Sequence, residues 1–301
     1  MIPVPKPVVA GLDGSRESMA AAHWAAREAL RRGLPLRLVQ AWEGPPEDDT
    51  GLRPSGPGSP RDHAHQVLRR ALVRINEWHP RLYVAAEQVT TAPAAALSAE
   101  AEKAELLVIG SQGFGAVGGL VAGSVALATV GHARCPVVLV RAGEKAEDEH
   151  LPDAAGKPAT HTAFRDVAVA VDTGGPCDDV LEFAFRAAEL RRAPLRAVHA
   201  WHVPPGRGVV DAEERARLRR AAQRELAAVL EPWHRKFPAV FVREELHEGF
   251  PAHVLERAAR GAGLLVLGRR TRRSPIGSRT GPVAHALIHH VGRPVVIVPH
   301  G

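Results

Sequence analysis

The strongest constraint on the fold is that the chain contains one long sequence unit twice. The segment Pro7–Asp13 recurs as Val167–Asp172, and a run that ends in Ala41-Trp42 recurs with the ending Ala200-Trp201. Later segments repeat at nearly the same offset, so the order of motifs is kept in both halves. The repeat is far longer than the units of about 20 to 50 residues that stack in solenoids. We therefore predict two complete domains in tandem.

Each copy alternates short apolar runs with helical patterns, which is typical of a parallel sheet covered by helices on both faces. The predicted fold class is α/β, with five parallel strands in each of the two domains. In the first copy we predict strands at Pro7–Leu12, Leu36–Ala41, Tyr83–Val89, Leu106–Ile109 and Val137–Arg141, and helices at Ser18–Arg32, Arg61–Glu77, Ala94–Glu102 and Ser124–His132. In the second copy we predict strands at Val167–Val171, Leu195–Ala200, Val240–Leu246, Leu264–Leu267 and Val295–Val298, with the longest helix at Ala212–Trp233.

Two segments fall outside this alternation. Residues 144–162 are rich in Glu, Asp, Ala, Gly and Pro and have no periodic apolar face, so we predict a linker between a first domain at 1–143 and a second at 163–301. Pro45–Pro60 follows the second strand and holds too much Pro and Gly for regular structure. We expect a mobile loop there.

Composition narrows the functional classes. The net charge of +6 comes mostly from arginines, but many of them alternate with glutamates on predicted helices, which indicates solvated surfaces. Aromatic residues make up 4% of the chain and offer no stacking surface, so we do not expect nucleic acid as a partner. No apolar run approaches the roughly 20 residues of a membrane span, and no secretion signal precedes the first strand. We expect a cytoplasmic protein without a membrane partner.

The most informative local motif opens at the end of the fourth predicted strand. It reads Gly110-Ser111-Gln112-Gly113 and continues to Gly123-Ser124, where the next helix is predicted to begin. Glycines that admit close approach and a helix N-terminus with free N–H groups together suit a phosphate. The same glycines are equally compatible with a soft loop that binds nothing. The GxGxxG pattern within Gly113–Gly118 lacks the acidic residue that a dinucleotide site requires, so we set that interpretation aside.

Asp13 follows the first predicted strand. If this strand is central, Asp13 and Gly110 flank the point where the strand order reverses, which is where open parallel sheets bind ligands. The Asp13 carboxylate could accept hydrogen bonds from an adenine amine or a ribose. It could also cap the following helix, and the two roles are compatible.

These motifs together resemble the universal stress protein family. The resemblance rests on Val8–Ser15, on the Gly110, Gly113 and Gly123-Ser124 spacing and on Cys135–Val140, and the whole chain is similar to the family's tandem members. It implies two Rossmann-like domains that pair within the chain, a homodimer as a further option, and ATP, with Mg²⁺ as an optional companion, in the first domain. It further implies that Leu12, Asp13 and Ala41 border the adenosine, whereas the phosphates are held by Gly110, Gly113, Gly123, Ser124 and Val125.

The second copy departs from the family pattern. Thr271 replaces the second glycine and Pro282 replaces the serine, which removes an N–H donor and a hydroxyl from the predicted helix start. We therefore predict nucleotide in the first domain only. An alternative second site comprises Asp172, Ala200, Gly268, Arg269, Arg270 and Gly281. In that alternative, the arginines would bind phosphate in place of the missing backbone donors, or would contact an acidic partner.

No catalytic or metal residues stand out. The sequence contains 16 histidines, of which His285 and His289 have helical spacing but no companion ligand nearby, so we predict no metal site. No general base accompanies the glycine motif, and we expect at most slow ATP hydrolysis.

The sequence therefore predicts a cytoplasmic stress-response regulatory protein that binds ATP or a related adenine nucleotide and acts on an unidentified protein partner. The alternative is a nucleotide-independent interaction module that uses the paired domains and the Arg-rich loop after Gly268.

Overall fold

The computed structural model describes residues 5–42, 60–111, 123–203, 211–271 and 280–301. The chain divides into two compact units, Met1–Lys145 and Ala146–Gly301. The first unit contains β1 (Val8–Leu12), α1 (Arg16–Arg32), β2 (Leu36–Ala41), α2 (Pro60–Trp78), β3 (Val84–Val89), α3 (Pro93–Lys103), β4 (Leu106–Ser111), α4 (Ser124–His132) and β5 (Val137–Arg141). The second contains β6 (Val167–Ala170), α5 (Asp178–Arg191), β7 (Leu195–Trp201), α6 (Ala212–Lys236), β8 (Val242–Glu248), α7 (Pro251–Ala259), β9 (Leu264–Arg270), α8 (Pro282–His290) and β10 (Val295–His300).

The strands of the first unit are parallel and lie in the order β3-β2-β1-β4-β5. Helices α1 and α2 contact one face of this sheet, whereas α3 and α4 pack on each other and on the opposite face. The central strands are almost wholly buried because both faces are covered, which explains why they read as continuous apolar runs. The predicted α/β architecture is confirmed, and β1 is the central strand.

The second unit repeats this architecture with the strand order β8-β7-β6-β9-β10. Its helix α6 runs three residues beyond the predicted end at Trp233 and includes Pro232. Trp233 and Phe237 are buried and stack with Phe185 of α5, at ring-centroid distances of 5.9 and 5.4 Å from it. This aromatic packing explains why the helix continues past the proline, which by itself favours termination.

The predicted linker, residues 144–162, is described in full. From Ala146 it belongs to the second unit and forms a short 3-10 helix, Ala146–Glu149, followed by an antiparallel bridge between His150 and Phe164. Arg293 donates a hydrogen bond to the Asp148 carbonyl at 3.2 Å. The predicted loop Pro45–Pro60 lies outside the described residues up to position 59, and Pro60 is the first residue of α2. Within the described chain, no helix combines the length and apolar character needed to cross a membrane.

Candidate functional site

The sequence-predicted residues of the first unit meet at the carboxyl ends of neighbouring strands. Leu12 is the last residue of β1 and precedes Asp13, and Ala41 is the last residue of β2. Gly110 is the second-last residue of β4 that pairs with β5. Strand β1 pairs with β2 on one side and with β4 on the other, so the chain reverses its order across this point. A crevice at such a reversal is the general ligand position of open parallel sheets.

Asp13 is held by its own turn. Its Oδ1 accepts hydrogen bonds from the Ser15 backbone N–H at 2.9 Å and from the Ser15 hydroxyl at 2.6 Å. Partial burial acts to raise the pKa of the Asp13 carboxyl, but these hydrogen bonds outweigh it and leave the pKa below its ordinary value. The residue is exposed, and no described side chain forms an ion pair with it. Asp13 is therefore a fixed, ionised acceptor that faces solvent.

Ser15, rather than Asp13, caps α1. The Ser15 hydroxyl accepts a hydrogen bond from Ser18 N at 3.1 Å, and its backbone is extended, as an N-cap requires. Between them, Gly14 has φ +86°, and a Cβ there would lie 2.9 Å from Val67 Cγ2 of α2. The Asp13-Gly14-Ser15 turn thus frees the aspartate from the capping role that the sequence left open.

Gly110 lies within β4, one residue beyond the strand end that the sequence predicts at Ile109. It continues β4 and pairs with Val140 of β5. The absence of a side chain is explained by packing, because a Cβ would lie 2.6 Å from Glu17 C and 2.6 Å from Ser18 N. Gly110 thus allows the first turn of α1 to sit directly on the end of β4, beside Asp13.

The N-terminus of α4 supplies backbone donors that have no acceptor inside the helix. Gly123 is its N-cap without a side-chain capping bond, and the first intrahelical bond runs from Leu127 N to Gly123 O. The N–H groups of Ser124 and Val125 therefore have no intrahelical acceptor. Gly113, the other predicted phosphate contact, lies outside the described residues.

Sequence reasoning did not single out two buried polar groups at the same edge of the sheet. Gln40 on β2 is 8% exposed and Ser111 on β4 is 2% exposed. Neither Gln40 Oε1 nor Ser111 Oγ has a hydrogen-bond partner among the described residues. A buried acceptor or hydroxyl without a partner is costly unless a ligand or water satisfies it. A polar residue ending an apolar strand next to a predicted ligand edge is the signal that would have found both.

The second unit treats its corresponding aspartate differently. Asp172 Oδ1 accepts a hydrogen bond from Gly174 N at 3.0 Å, and Asp172 Oδ2 accepts one from Arg270 Nη2 at 2.7 Å. The Arg270 guanidinium also lies against Gly175, where an added Cβ would be 2.8 Å from Nη2. An arginine at the end of β9 therefore spans the crevice and engages the carboxylate that is open in the first unit.

The other members of the alternative second set are spread along the same edge. Ala200 lies in β7, Gly268 and the buried Arg269 lie in β9, and Gly281 is the N-cap of α8. Gly281 has φ +75°, in contrast to φ −51° at Gly123. Pro282 is the first residue of α8, so the helix forms there as predicted although one backbone donor is missing. Thr271 N and Oγ1 both donate to the His300 carbonyl.

The described residues contain no group of three or more His, Cys, Asp or Glu side chains arranged to hold a metal ion. His285 and His289, which share helical spacing, pack edge to face with ring centroids 4.8 Å apart.

Comparison with known proteins places this geometry in a family. The model of the universal stress protein family matches residues 5–141 and, separately, residues 163–299. Universal stress protein Rv2005c of Mycobacterium tuberculosis is 30% identical over 307 residues, covering 96% of this chain and 96% of that relative. Universal stress protein Rv3134c of the same organism is 33% identical over 261 residues, covering 86% and 87%.

A solved structure shares the fold over nearly the whole chain. The universal stress protein from Archaeoglobus fulgidus DSM 4304 has a TM-score of 0.66 at 16% identity, covering 98% of this chain and 99% of that one.

Proposed function

Because this chain belongs to the universal stress protein family and carries its domain twice, we propose that it is a cytoplasmic stress-response regulator that binds ATP, or a related adenine nucleotide, through the first unit. Binding would control how the protein interacts with a partner. Nucleotide can order a segment that is mobile without it, which is a common basis for such switches.

One observation carries the proposal: the two units differ at the aspartate beyond their first strand. Asp13 is exposed, ionised and held by local hydrogen bonds, with no ion pair to a described side chain, whereas Asp172 is engaged by Arg270 through Oδ2. An open carboxylate suits the hydroxyl and amine donors of an adenosine. In the second unit, one oxygen of the Asp172 carboxylate already accepts a hydrogen bond from Arg270.

The donors needed for phosphates are also present in the first unit. The free N–H groups at the start of α4 and its positive dipole end favour an anion. Gln40 Oε1 and Ser111 Oγ, which lack a partner among the described residues, lie at the same edge of the sheet and would gain hydrogen bonds from a ligand or its water. If Mg²⁺ accompanies the nucleotide, phosphate oxygens and water would supply most of its ligands.

We assign no catalytic base to this site. Positioning and charge neutralisation account for much of phosphoryl-transfer catalysis, so we propose at most slow ATP hydrolysis.

Isothermal titration of the full chain with Mg-ATP tests the proposal. We expect one site per chain, and we expect Asp13→Ala or Gly123→Glu to weaken binding at least about tenfold through loss of an acceptor or blockage of the helix N-terminus. Asp172→Ala is the matched control and should leave affinity and stoichiometry unchanged. Circular dichroism must show that each variant keeps its fold.

Absence of heat and of thermal stabilisation at millimolar ATP would contradict nucleotide binding. The nucleotide-independent interaction module would then be the better description of the protein.

A further inference from the structure

A groove in the first unit lies between the first turn of α1 and the middle of α2, on the side of the sheet that these two helices cover. It is open to solvent and has a volume of about 740 Å³, and its lining residues are Met19, Gln66, Arg69, Arg70, Val73 and Arg74. From Gln66 to Arg74 the α2 border of the groove is about 12 Å long at 1.5 Å per residue.

The groove combines unpaired positive charge with exposed apolar surface. Arg69, Arg70 and Arg74 are exposed, and none of them forms an ion pair within the described part of the chain. Val73 is 51% exposed, and Trp78 is 71% exposed at the end of the same helix. Arginine, tryptophan and methionine are the residue types that interfaces concentrate.

The second unit has an acidic side chain between the corresponding two helices. Glu182 of α5 stands at the position of His23 of α1, under the alignment that matches Asp172 with Asp13. The Glu182 carboxylate bonds to Lys236 of α6 and to Arg186 Nε at 2.6 Å. The second unit thus carries a carboxylate between its two helices that satisfies the nearby cations.

The first unit has no such carboxylate at that position. His23 instead contacts Trp78, with ring centroids 5.4 Å apart. Burial, together with Arg27, His79 and Arg74, lowers the pKa of His23 to about 4, so this imidazole is neutral at pH 7. Within the described residues, Arg69, Arg70 and Arg74 therefore have no ion-pair partner.

We propose that the groove between α1 and α2 binds an acidic, amphipathic helical segment of a partner protein. Carboxylates spaced by one helical turn would meet Arg70 and Arg74, and apolar side chains between them would cover Met19 and Val73. A segment of about two turns matches the α2 border of the groove. Among the described residues, the groove shares no lining residue with the proposed nucleotide site.

The apolar floor favours a protein segment over nucleic acid. A phosphate backbone would pair with the arginines, but it would leave Met19 and Val73 without apolar contacts. Nucleic-acid surfaces typically extend a positive track over many phosphates, and this groove offers three arginines over about two helical turns.

The first experiment is selection from a displayed library of random peptides of about 16 residues, carried out on the immobilised full-length chain and, in parallel, on the Arg70→Ala/Arg74→Ala double variant. We expect the wild-type chain to enrich peptides with net negative charge and with apolar residues at three- and four-residue spacing. The double variant should lose this enrichment.

Fluorescence anisotropy with the most enriched peptide then measures affinity. The Arg70→Ala/Arg74→Ala variant should bind at least about tenfold more weakly, because two charge contacts are removed. The Arg219→Ala/Arg220→Ala variant, which removes equal charge from exposed positions of α6, should bind like wild type. His23→Glu, which installs the carboxylate that the second unit already has, should also weaken binding.

Three results would overturn the proposal. Selected peptides without an acidic bias would show that charge does not define the partner. Equal binding by wild type and the Arg70→Ala/Arg74→Ala variant would place the peptide elsewhere. Displacement of the peptide by duplex DNA of about 20 base pairs, or by anionic vesicles, at lower concentrations than unlabelled peptide would assign the arginines to those ligands instead.

Discussion

The two units keep the same buried strands but differ at the ends of those strands. Both place an aspartate directly beyond the central strand, yet Asp13 is held by Ser15 and open to solvent, whereas Asp172 is paired with Arg270. Both place a glycine in the neighbouring strand, but against different elements. Duplication has therefore conserved the core, which specifies the fold, while the edge that would meet a ligand has diverged. Paired substitutions at corresponding positions can test each part of this comparison.

The largest expected difference concerns Gly110 and Gly268. A Cβ at Gly110 would meet the backbone of α1 at 2.6 Å, whereas one at Gly268 would meet the His300 ring, at 2.6 Å from Nε2, and the Val180 methyl at 3.0 Å. Backbone cannot move without displacing a helix, whereas the His300 ring and the Val180 methyl belong to side chains that can rotate. We expect Gly110→Ala to lower the free energy of unfolding by about 3 kcal/mol and Gly268→Ala by about 1 kcal/mol. Urea unfolding measures both, and equal losses would contradict the packing argument.

The next difference lies at the ends of α1 and α5. Gly33 (φ 65°) and Arg192 (φ 48°) both adopt the left-handed conformation and donate back to the last turn of their helices. A non-glycine residue pays about 1 kcal/mol for this conformation. We therefore expect Arg192→Gly to raise the free energy of unfolding by about 1 kcal/mol and Gly33→Arg to lower it by a similar amount. Arg192→Ala keeps the Cβ and is the control; a gain as large as that of Arg192→Gly would show that backbone strain is not the cause.

The two units should also respond differently to acid. His23 has a pKa of about 4 in the folded chain because of burial and nearby cations, against 6.5 ordinarily. The unfolded chain takes up this proton first, so stability falls as pH falls from 6.5 to 4, by on the order of 1 kcal/mol once partial exposure is considered. We expect the His23→Gln variant not to show this loss of stability between pH 7 and pH 5. Urea unfolding at both pH values measures it.

Glu182, at the corresponding position, provides the contrast. Partial burial acts to raise its pKa, but hydrogen bonds from Lys236 and Arg186 outweigh burial and lower the pKa below its ordinary value of 4.5. Its contribution to stability is therefore present above pH 4.5 and is lost below it. Glu182→Gln should leave the change between pH 7 and pH 5 as in wild type. A smaller change in the free energy of unfolding between pH 7 and pH 5 in Glu182→Gln than in wild type would show that the imidazole and the carboxylate do not act in different pH ranges.

Local patterns sufficed to predict the parts of the fold that depend on neighbouring residues. The apolar runs of β1 and β4 located the buried strands, and their order along the chain located the crevice at Asp13 and Gly110. Period and composition carry this information because strands covered on both faces must be apolar throughout. The start of α8 at Pro282 was predictable for a similar reason, since proline is tolerated in the first helical turn.

Contacts between distant residues could not be predicted in this way. The pairing of Arg270 with Asp172 depends on how the ends of β6 and β9 are aligned in space, and the two residues are separated by 98 positions. The reason for glycine at position 110 is the approach of α1, which no local motif encodes. Ser and Asp are both favoured N-cap residues, so the sequence alone does not decide which of them caps α1. The backbone of the turn between Asp13 and Ser15 makes Ser15 the cap.

The smallest expected change in stability comes from the ion pair that distinguishes the two aspartates. The Arg270 and Asp172 side chains are 48% and 63% exposed, so Arg270→Ala should alter the free energy of unfolding by no more than about 0.5 kcal/mol. The same variant tests what separates the units functionally. Pro282 removes a backbone donor from α8, and Gly281 adopts a conformation unlike that of Gly123, so an open Asp172 alone should not create a phosphate site. We therefore expect the Arg270→Ala chain still to bind one Mg-ATP in calorimetry. A stoichiometry of two would show instead that the arginine is the sole barrier, and that the second unit differs from the first by one side chain across its crevice.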